Sequence, residues 1–405
     1  MGTVCEASVT TAYRDGDGSH ADADRGLVFA DVSSFYAPTA GGIRTYHEAK
    51  IAWFAAQNRH RYVLIHPGPR PSVTHVSPSV SLVSVYGPAV RGYRLPFDFG
   101  RIHAVVRDTR PDVLETGDPW FSGPLGLLFK RWQHTSLVSS FFHGDPVHTY
   151  VEPWLSRADR FHGVRRWLGA RADRYIYRVQ RMYDVTVTSS EGVAHMLRGR
   201  GVGNVLRVPF GVDPLFLSVG LARERRSNRV RLLYAGRLQD DKGIDLLVSA
   251  IPDLLQLPGV VLTIAGTGPL ADQLARFASP RVRVVGFVAS RDALARLYAE
   301  HDVLLAPGPY ETFGLAALEG LAAGLSVVGP DAGGTHALLQ QLELPHIFRR
   351  GDRYDFVRVV QEALAADAVA EARAGTAVAE RCGSWRHAIA SQVDSYCRYL
   401  SRCTT

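Results

Sequence analysis

A chain of 405 residues, 46% hydrophobic and 21% charged, has the balance of a folded globular protein and room for two domains with separate cores. It contains no run of about eighteen apolar residues, so a membrane-spanning helix is not expected. The formal charge of +7 favours anionic partners without choosing among nucleic acid, phosphorylated ligands and anionic lipid, and Cys5, Cys382, Cys397 and Cys403, without C-x-x-C spacing, suggest a cytoplasmic enzyme with neither disulfide framework nor zinc site.

Residues 1–25 carry Asp15, Asp17, Asp22 and Asp24 among Gly, Ser and Thr, with no signal-peptide core, and read as a disordered leader. Their D-G-D-G lacks the later ligand positions of a calcium loop, so no metal is assigned. Residues 27–31 then read as a short apolar strand, 33–42 as a loop holding Pro38, Gly41 and Gly42, and 43–57 as a helix with Ile43, Tyr46, Lys50 and Phe54 at helical spacing. A strand, a Gly-Gly turn and a helix suit a phosphate, but the full G-x-G-x-x-G is missing, which counts against a nicotinamide-dependent oxidoreductase. Further strands are expected at 62–66, 80–86, 112–115, 136–141 and 185–188, with helices between most of them. Such alternation predicts a parallel, doubly wound sheet.

A break at V-P-F-G-V-D (208–213) and the Arg-rich stretch 223–229 precede a second alternating run. Its strands are expected at 231–235, 260–265, 282–285, 303–306 and 326–328. Ligands of open parallel sheets bind beyond the carboxyl ends of the strands, so the site should lie between the two halves. Residues 385–400 read as a closing amphipathic helix.

The richest stretch is P-G-P-Y-E-T-F-G-L-A-A-L-E-G-L-A-A-G, from Pro307 to Gly324. It follows a strand, opens in a loop and is expected to continue as a buried helix over 313–323. Glu311 then sits at the helix start and Glu319 two turns inside, about 12 Å further along the axis. A helix N-terminus suits an anion, Gly314 lets a ligand approach the backbone, and a carboxylate can accept two hydrogen bonds from a vicinal diol. Anion plus diol describes a sugar nucleotide. The competing reading is a buried helix whose Glu319 is merely paired with an arginine.

The segment resembles the E-x7-E motif of the family-four retaining glycosyltransferases, whose GT-B fold faces two Rossmann-like doubly wound α/β domains across a cleft. The resemblance implies that Glu311 contacts the donor sugar, Glu319 binds its ribose, and the backbone of Phe313, Gly314 and Leu315 cradles donor oxygens. In G-R-L-Q-D-D-K-G, Arg237 and Lys242 match the diphosphate clamp, where two fixed cations stabilise the leaving group and no metal is expected. In F-F-H-G-D, His143 matches the histidine that touches the donor sugar, and Asp145 follows the same motif. Gly41 and Gly42 match the turn that admits the donor phosphate. Gly266 and Gly268 resemble another family glycine turn, not counted as a site. One departure is Ala337, where many members carry a glutamate.

The implied domains are an N-terminal acceptor domain at 26–210, a donor domain at 211–384 and a helix at 385–405 returning to the first. The opening S-F-Y-A-P-T-A-G-G-I-R-T-Y-H-E-A-K looks most like bacterial alpha-mannosyltransferases that use GDP-mannose and lipid-linked acceptors. A GDP-mannose or UDP-hexose donor, a lipid-linked or saccharide acceptor and no nucleic acid are therefore expected. A non-catalytic nucleotide-sugar-binding protein on the same fold is the alternative. Finally, Trp154 to Arg181 interleaves eight arginines (Arg157, Arg160, Arg165, Arg166, Arg171, Arg174, Arg178 and Arg181) with aromatic residues. This composition fits peripheral contact with an anionic membrane on the cytoplasmic side, or a solvated face whose aromatics turn into the core.

Overall fold

Strands of a parallel sheet covered on both faces need near-continuous apolar runs. V-F-A-D-V supplies one, and all five residues of β1 (Val28–Val32) are buried. A computed structural model of the chain describes residues 26–37, 41–90, 93–143, 162–222 and 230–403. The leader at 1–25, Pro38, Asp145, the stretch 223–229, and the side chains of Trp154, Arg157, Arg160, Arg165 and Arg166 lie outside the described residues.

The first sheet contains β1, β2 (Arg61–Gly68), β3 (Ser72–Ser77) and β4 (Val80–Tyr86). Ala89–Val90 (β5) and Tyr93–Arg94 (β6) form a small separate ladder, and β7 (Val113–Thr116), β8 (Leu137–Phe141), β9 (Val185–Thr188) and β10 (Val205–Arg207) return to the sheet. Its order is β10-β9-β8-β7-β1-β2-β4-β3, parallel throughout except for β3 against β4. Asp31 on β1 is in register with Glu115 on β7.

The second sheet contains β11 (Arg231–Ala235), β12 (Val261–Ala265), β13 (Val282–Gly286), β14 (Val303–Leu305), β15 (Ser326–Pro330) and β16 (His346–Phe348). All its ladders are parallel, in the order β13-β12-β11-β14-β15-β16. Strand order reverses between β1 and β7 in one sheet and between β11 and β14 in the other. The loops after those strands therefore open crevices that ligands can enter.

The chain passes between the sheets twice, and the passages touch: Val212 N donates to Gly383 O at 2.9 Å. Phe210 fills the junction, its ring centroid 5.7 Å from Phe141, 5.1 Å from Phe313 and 4.9 Å from Trp385. The last helix, Trp385–Cys403, packs on Gly42–Ala56 and buries Ile389, Val393 and Tyr396.

Candidate active site

Each candidate segment leaves a sheet at the carboxyl end of a strand. After β11, Arg237 is fixed by Tyr234, whose hydroxyl donates to Arg237 O at 2.7 Å. Its guanidinium reaches Gln239 Oε1 at 2.7 Å and Asp241 Oδ2 at 3.2 Å. One 3-10 turn, Asp240–Lys242, then ends at Gly243, whose φ of +70° and whose approach to Pro307 O, 2.5 Å from where a Cβ would stand, admit only glycine without strain. That contact seats Lys242 against the loop after β14, where its Nζ lies 2.7 Å from Glu311 Oε1. Burial opposes ionisation of Glu311, yet Lys242, with Arg237 behind it, holds its pKa below the usual carboxylate value.

The helix of the E-x7-E segment spans Leu315–Ala322, shorter than the expected 313–323. Gly314 sets its start: φ is +82°, and Thr335 Oγ1 lies 2.7 Å from where a Cβ would be. Packing against Thr335 and a left-handed backbone, as much as ligand access, therefore demand this glycine. Glu319 sits about one turn inside, not two. The Phe313 ring packs into the interdomain junction, leaving its backbone at the loop. Glu319 is buried, with Arg291 Nη2 2.9 Å from Oε1 in an ion pair that lacks the alignment of a hydrogen bond. An arginine partner, the bland expectation for this residue, is thus present, and it too faces the cleft.

From the first sheet, Gly41 caps Gly42–Ala56 without a side-chain bond, and no acidic residue stands in that first turn. The leading N–H groups of a helix have no intrahelical acceptor. A Cβ at Gly42 would stand 3.7 Å from Leu315 Cδ2, so the two loops face each other. His143, just past β8, stacks on Phe141 at 4.2 Å and accepts at its backbone oxygen from Thr312 Oγ1 at 2.6 Å, across the domains. Burial, with His47 and Lys50 adding to it, pushes its imidazole well below the usual value, so the ring is neutral.

One cleft of about 310 Å³ is lined by Gly41, Gly42, His143, Arg237, Lys242, Glu311, Phe313, Gly314, Leu315 and Glu319 alike. Gly266, not counted as a site, also lines it, whereas Ala337 is exposed on the helix Gly333–Leu339 and does not. Cations from the second sheet and helix starts from both can hold a diphosphate, and two carboxylates can accept sugar hydroxyls.

The family profile described as "Glycosyl transferases group 1" matches residues 229–366, and that described as "Glycosyl transferase 4-like domain" matches residues 41–211. A GDP-mannose-dependent alpha-(1-6)-phosphatidylinositol dimannoside mannosyltransferase of Mycobacterium tuberculosis is 34% identical over 317 residues, 73% of this chain and 77% of that protein. The chain belongs to the group 1, 4-like glycosyltransferases. This glycosyltransferase is also 24% identical over 333 residues to a GDP-mannose-dependent alpha-mannosyltransferase of Corynebacterium glutamicum, spanning 78% of this chain and 75% of that one. Its fold matches sucrose-phosphate synthase from Thermosynechococcus elongatus with a TM-score of 0.72 at 20% identity, over 93% of this chain and 100% of that chain. GT-B, expected from the motif, is its architecture.

Sequence reasoning missed Arg291, Thr312 and Thr335, which also line the glycosyltransferase cleft. Only Arg291 left a signal. It opens the helix Arg291–Ala299, the end where a cation is disfavoured by the helix dipole.

Proposed function

We propose that the glycosyltransferase moves mannose from GDP-mannose to a hydroxyl of a lipid-linked or saccharide acceptor, retaining the alpha configuration and using no metal. In that step the bond from the sugar C1 to the diphosphate oxygen breaks, and its electron pair leaves with the diphosphate. The acceptor oxygen forms the new bond to C1 and gives up its proton to the departing diphosphate. Arg237 and Lys242 stabilise the charge that develops on the leaving group. Glu319 accepts the ribose diol, and Glu311 and the neutral His143 orient the sugar.

What carries this reading is the convergence on one cleft of two cations, two carboxylates and two helix starts from both sheets. The choice of donor follows the mycobacterial and corynebacterial relatives, both described as GDP-mannose-dependent. The test is to incubate the purified protein separately with GDP-mannose, UDP-glucose and UDP-N-acetylglucosamine and follow nucleotide release with lipid and saccharide acceptors, with and without chelator. Turnover of GDP-mannose that survives chelator is expected. Turnover of UDP-glucose alone, or full dependence on an added divalent ion, would overturn the corresponding part.

We also propose peripheral contact with an anionic membrane through the helix His162–Gln180 and the residues after it. Its outward face carries Arg171, Arg174, Arg178 and Arg181, with Trp167 54% exposed and Tyr175 41% exposed, while Tyr177 is turned into the core. The aromatic residues of this helix therefore divide between solvent and core.

A further inference from the structure

Arg291 is the cation of the cleft to which the proposed transfer gives no task. Its partner Glu319 is 5% exposed, and a carboxylate that deep gives up its charge unless a cation or several donors face it. Facing it from the helix Arg291–Ala299 are Arg291, at 2.9 Å, and the Tyr298 hydroxyl, which donates to Oε2 at 3.5 Å. Asp213, on the first passage between the sheets, stands behind Arg291. Burial raises the Glu319 pKa, Arg291 opposes the rise, and Asp213 adds to it.

Arg291 is itself held from three sides. Its Nε lies 3.3 Å from Asp213 Oδ2, its guanidinium lies 4.9 Å over the Phe216 ring, and Glu319 takes Nη2. Position works against it, because the first turn of a helix repels a cation. Two carboxylates overcome that preference. Asp213 is fixed in turn, its Oδ1 accepting from Leu215 N at 3.1 Å beside the Val212–Gly383 contact of the two passages.

We propose that Arg291 is a positioning residue for donor binding, keeping Glu319 ionised and aimed so that its carboxylate can accept the donor diol, with Asp213 of the interdomain passage anchoring it. The proposal rests on the reading of Glu319 as the diol acceptor. An ionised carboxylate offers about four lone-pair positions. Arg291 faces the buried Oε1 and the Tyr298 hydroxyl reaches Oε2, which leaves lone-pair positions of the carboxylate for the diol. Protonation converts one oxygen into a donor and reduces that capacity to accept. Lysine at 291 would keep the charge and lose the planar fork that spans Glu319 and Asp213.

The experiment measures GDP and GDP-mannose affinity by calorimetry, with kcat and KM, on full-length Arg291→Met, Arg291→Lys, Asp213→Asn and Glu319→Gln proteins. The range runs from about pH 5.5 to about pH 8.5, above the ordinary carboxylate value. For Arg291→Met the expected result is a donor dissociation constant raised about tenfold at the acidic end, the size of one charged hydrogen bond. The loss should shrink as pH rises and Glu319 ionises unaided, and should fall on KM more than on kcat. Arg291→Lys should recover most of the affinity at the acidic end, and Asp213→Asn, which loosens Arg291 but removes a carboxylate that raises the Glu319 pKa, should cost less and show no growth of the loss toward acid pH. A loss of equal size at every pH, not recovered by lysine, would overturn the proposal, since lost packing on Phe216 has no such pH dependence. So would wild-type affinity in Arg291→Met beside a weakened Glu319→Gln. Wild-type donor affinity in Glu319→Gln would instead remove the diol reading itself.

Discussion

Lys242 and Glu311 lie 2.7 Å apart in the cleft, and this pair makes the chemistry of each depend on the other. Lysine next to a carboxylate keeps the carboxylate charged, so Glu311 can act as an acceptor at neutral pH and loses that capacity only as the pH falls through its depressed pKa. Replacing Lys242 by alanine leaves burial as the main influence on Glu311, and its pKa should rise. The acidic limb of the kcat/KM profile should then move toward neutral pH. Because Lys242 is proposed to meet charge that develops only as the diphosphate leaves, kcat should drop about 10²- to 10³-fold, more than donor binding weakens. Steady-state kinetics over pH with parallel calorimetry measure both. An unmoved acidic limb, or a loss confined to donor affinity, would deny the pair its role. The ten candidate residues that line the cleft could be singled out in the sequence because each lies in the loop or the first helical turns after a strand, where neighbours in the chain stay neighbours in space. Arg291 reaches Glu319 through tertiary packing, and no local spacing announces that.

At the level of elements, the sequence shows the central strands and misses the margins. Strands such as β8 and β14 are buried throughout and read as apolar runs with boundaries off by a residue or so. S-V-T-H-V-S of β3 is an exposed antiparallel edge without an apolar face, and β10 and β16 are three residues each, too short for a period to register. The segment ending at Arg181 was ambiguous because its aromatics divide between core and solvent. Tyr177 enters the core, whereas the Trp167 ring stays outside with Arg171 over it at 4.3 Å. Asp173 on the same helix pairs with Arg200, and among the described residues no ion pair joins a carboxylate to Arg171, Arg174, Arg178 or Arg181. Each cation near an anionic leaflet is worth about 1 kcal/mol. Reversing these four to glutamate should abolish co-sedimentation with anionic vesicles at low salt, while the wild type binds anionic and not neutral vesicles. Failure of the wild type to bind anionic vesicles would remove the membrane reading and favour a soluble acceptor.

For the whole molecule, the decisive connection is a buried polar cluster that ties the end of the chain to its beginning. Register places Asp31 beside Glu115, and Lys50, from the helix that presents Gly41 and Gly42 to the cleft, bridges them at 2.7 Å and 3.1 Å. Burial opposes ionisation of Asp31, yet Lys50 and His47 bring its pKa down to about 2. Glu115 also accepts from Tyr46, Gln392 and Tyr396, each at 2.7 Å, the last two reaching in from the closing helix. Amphipathic spacing predicts that this helix packs somewhere. It does not predict a carboxylate on β7 as its anchor, because a polar core contact leaves no periodic trace. Replacing Gln392 by leucine removes a buried donor from Glu115 and sets an apolar group beside the charge, a loss of about 1 to 3 kcal/mol. The urea midpoint should fall accordingly with an unchanged slope. Donor affinity should weaken as well, since Lys50 and Tyr46 hold the glycine-started helix through the same carboxylate. Tyr396→Phe, which removes only a hydroxyl, should move both quantities in the same direction by less. An unshifted midpoint in Gln392→Leu would mean that the closing helix is held by Ile389 and Val393 alone, and a lowered midpoint with wild-type donor affinity would separate the cluster from the cleft.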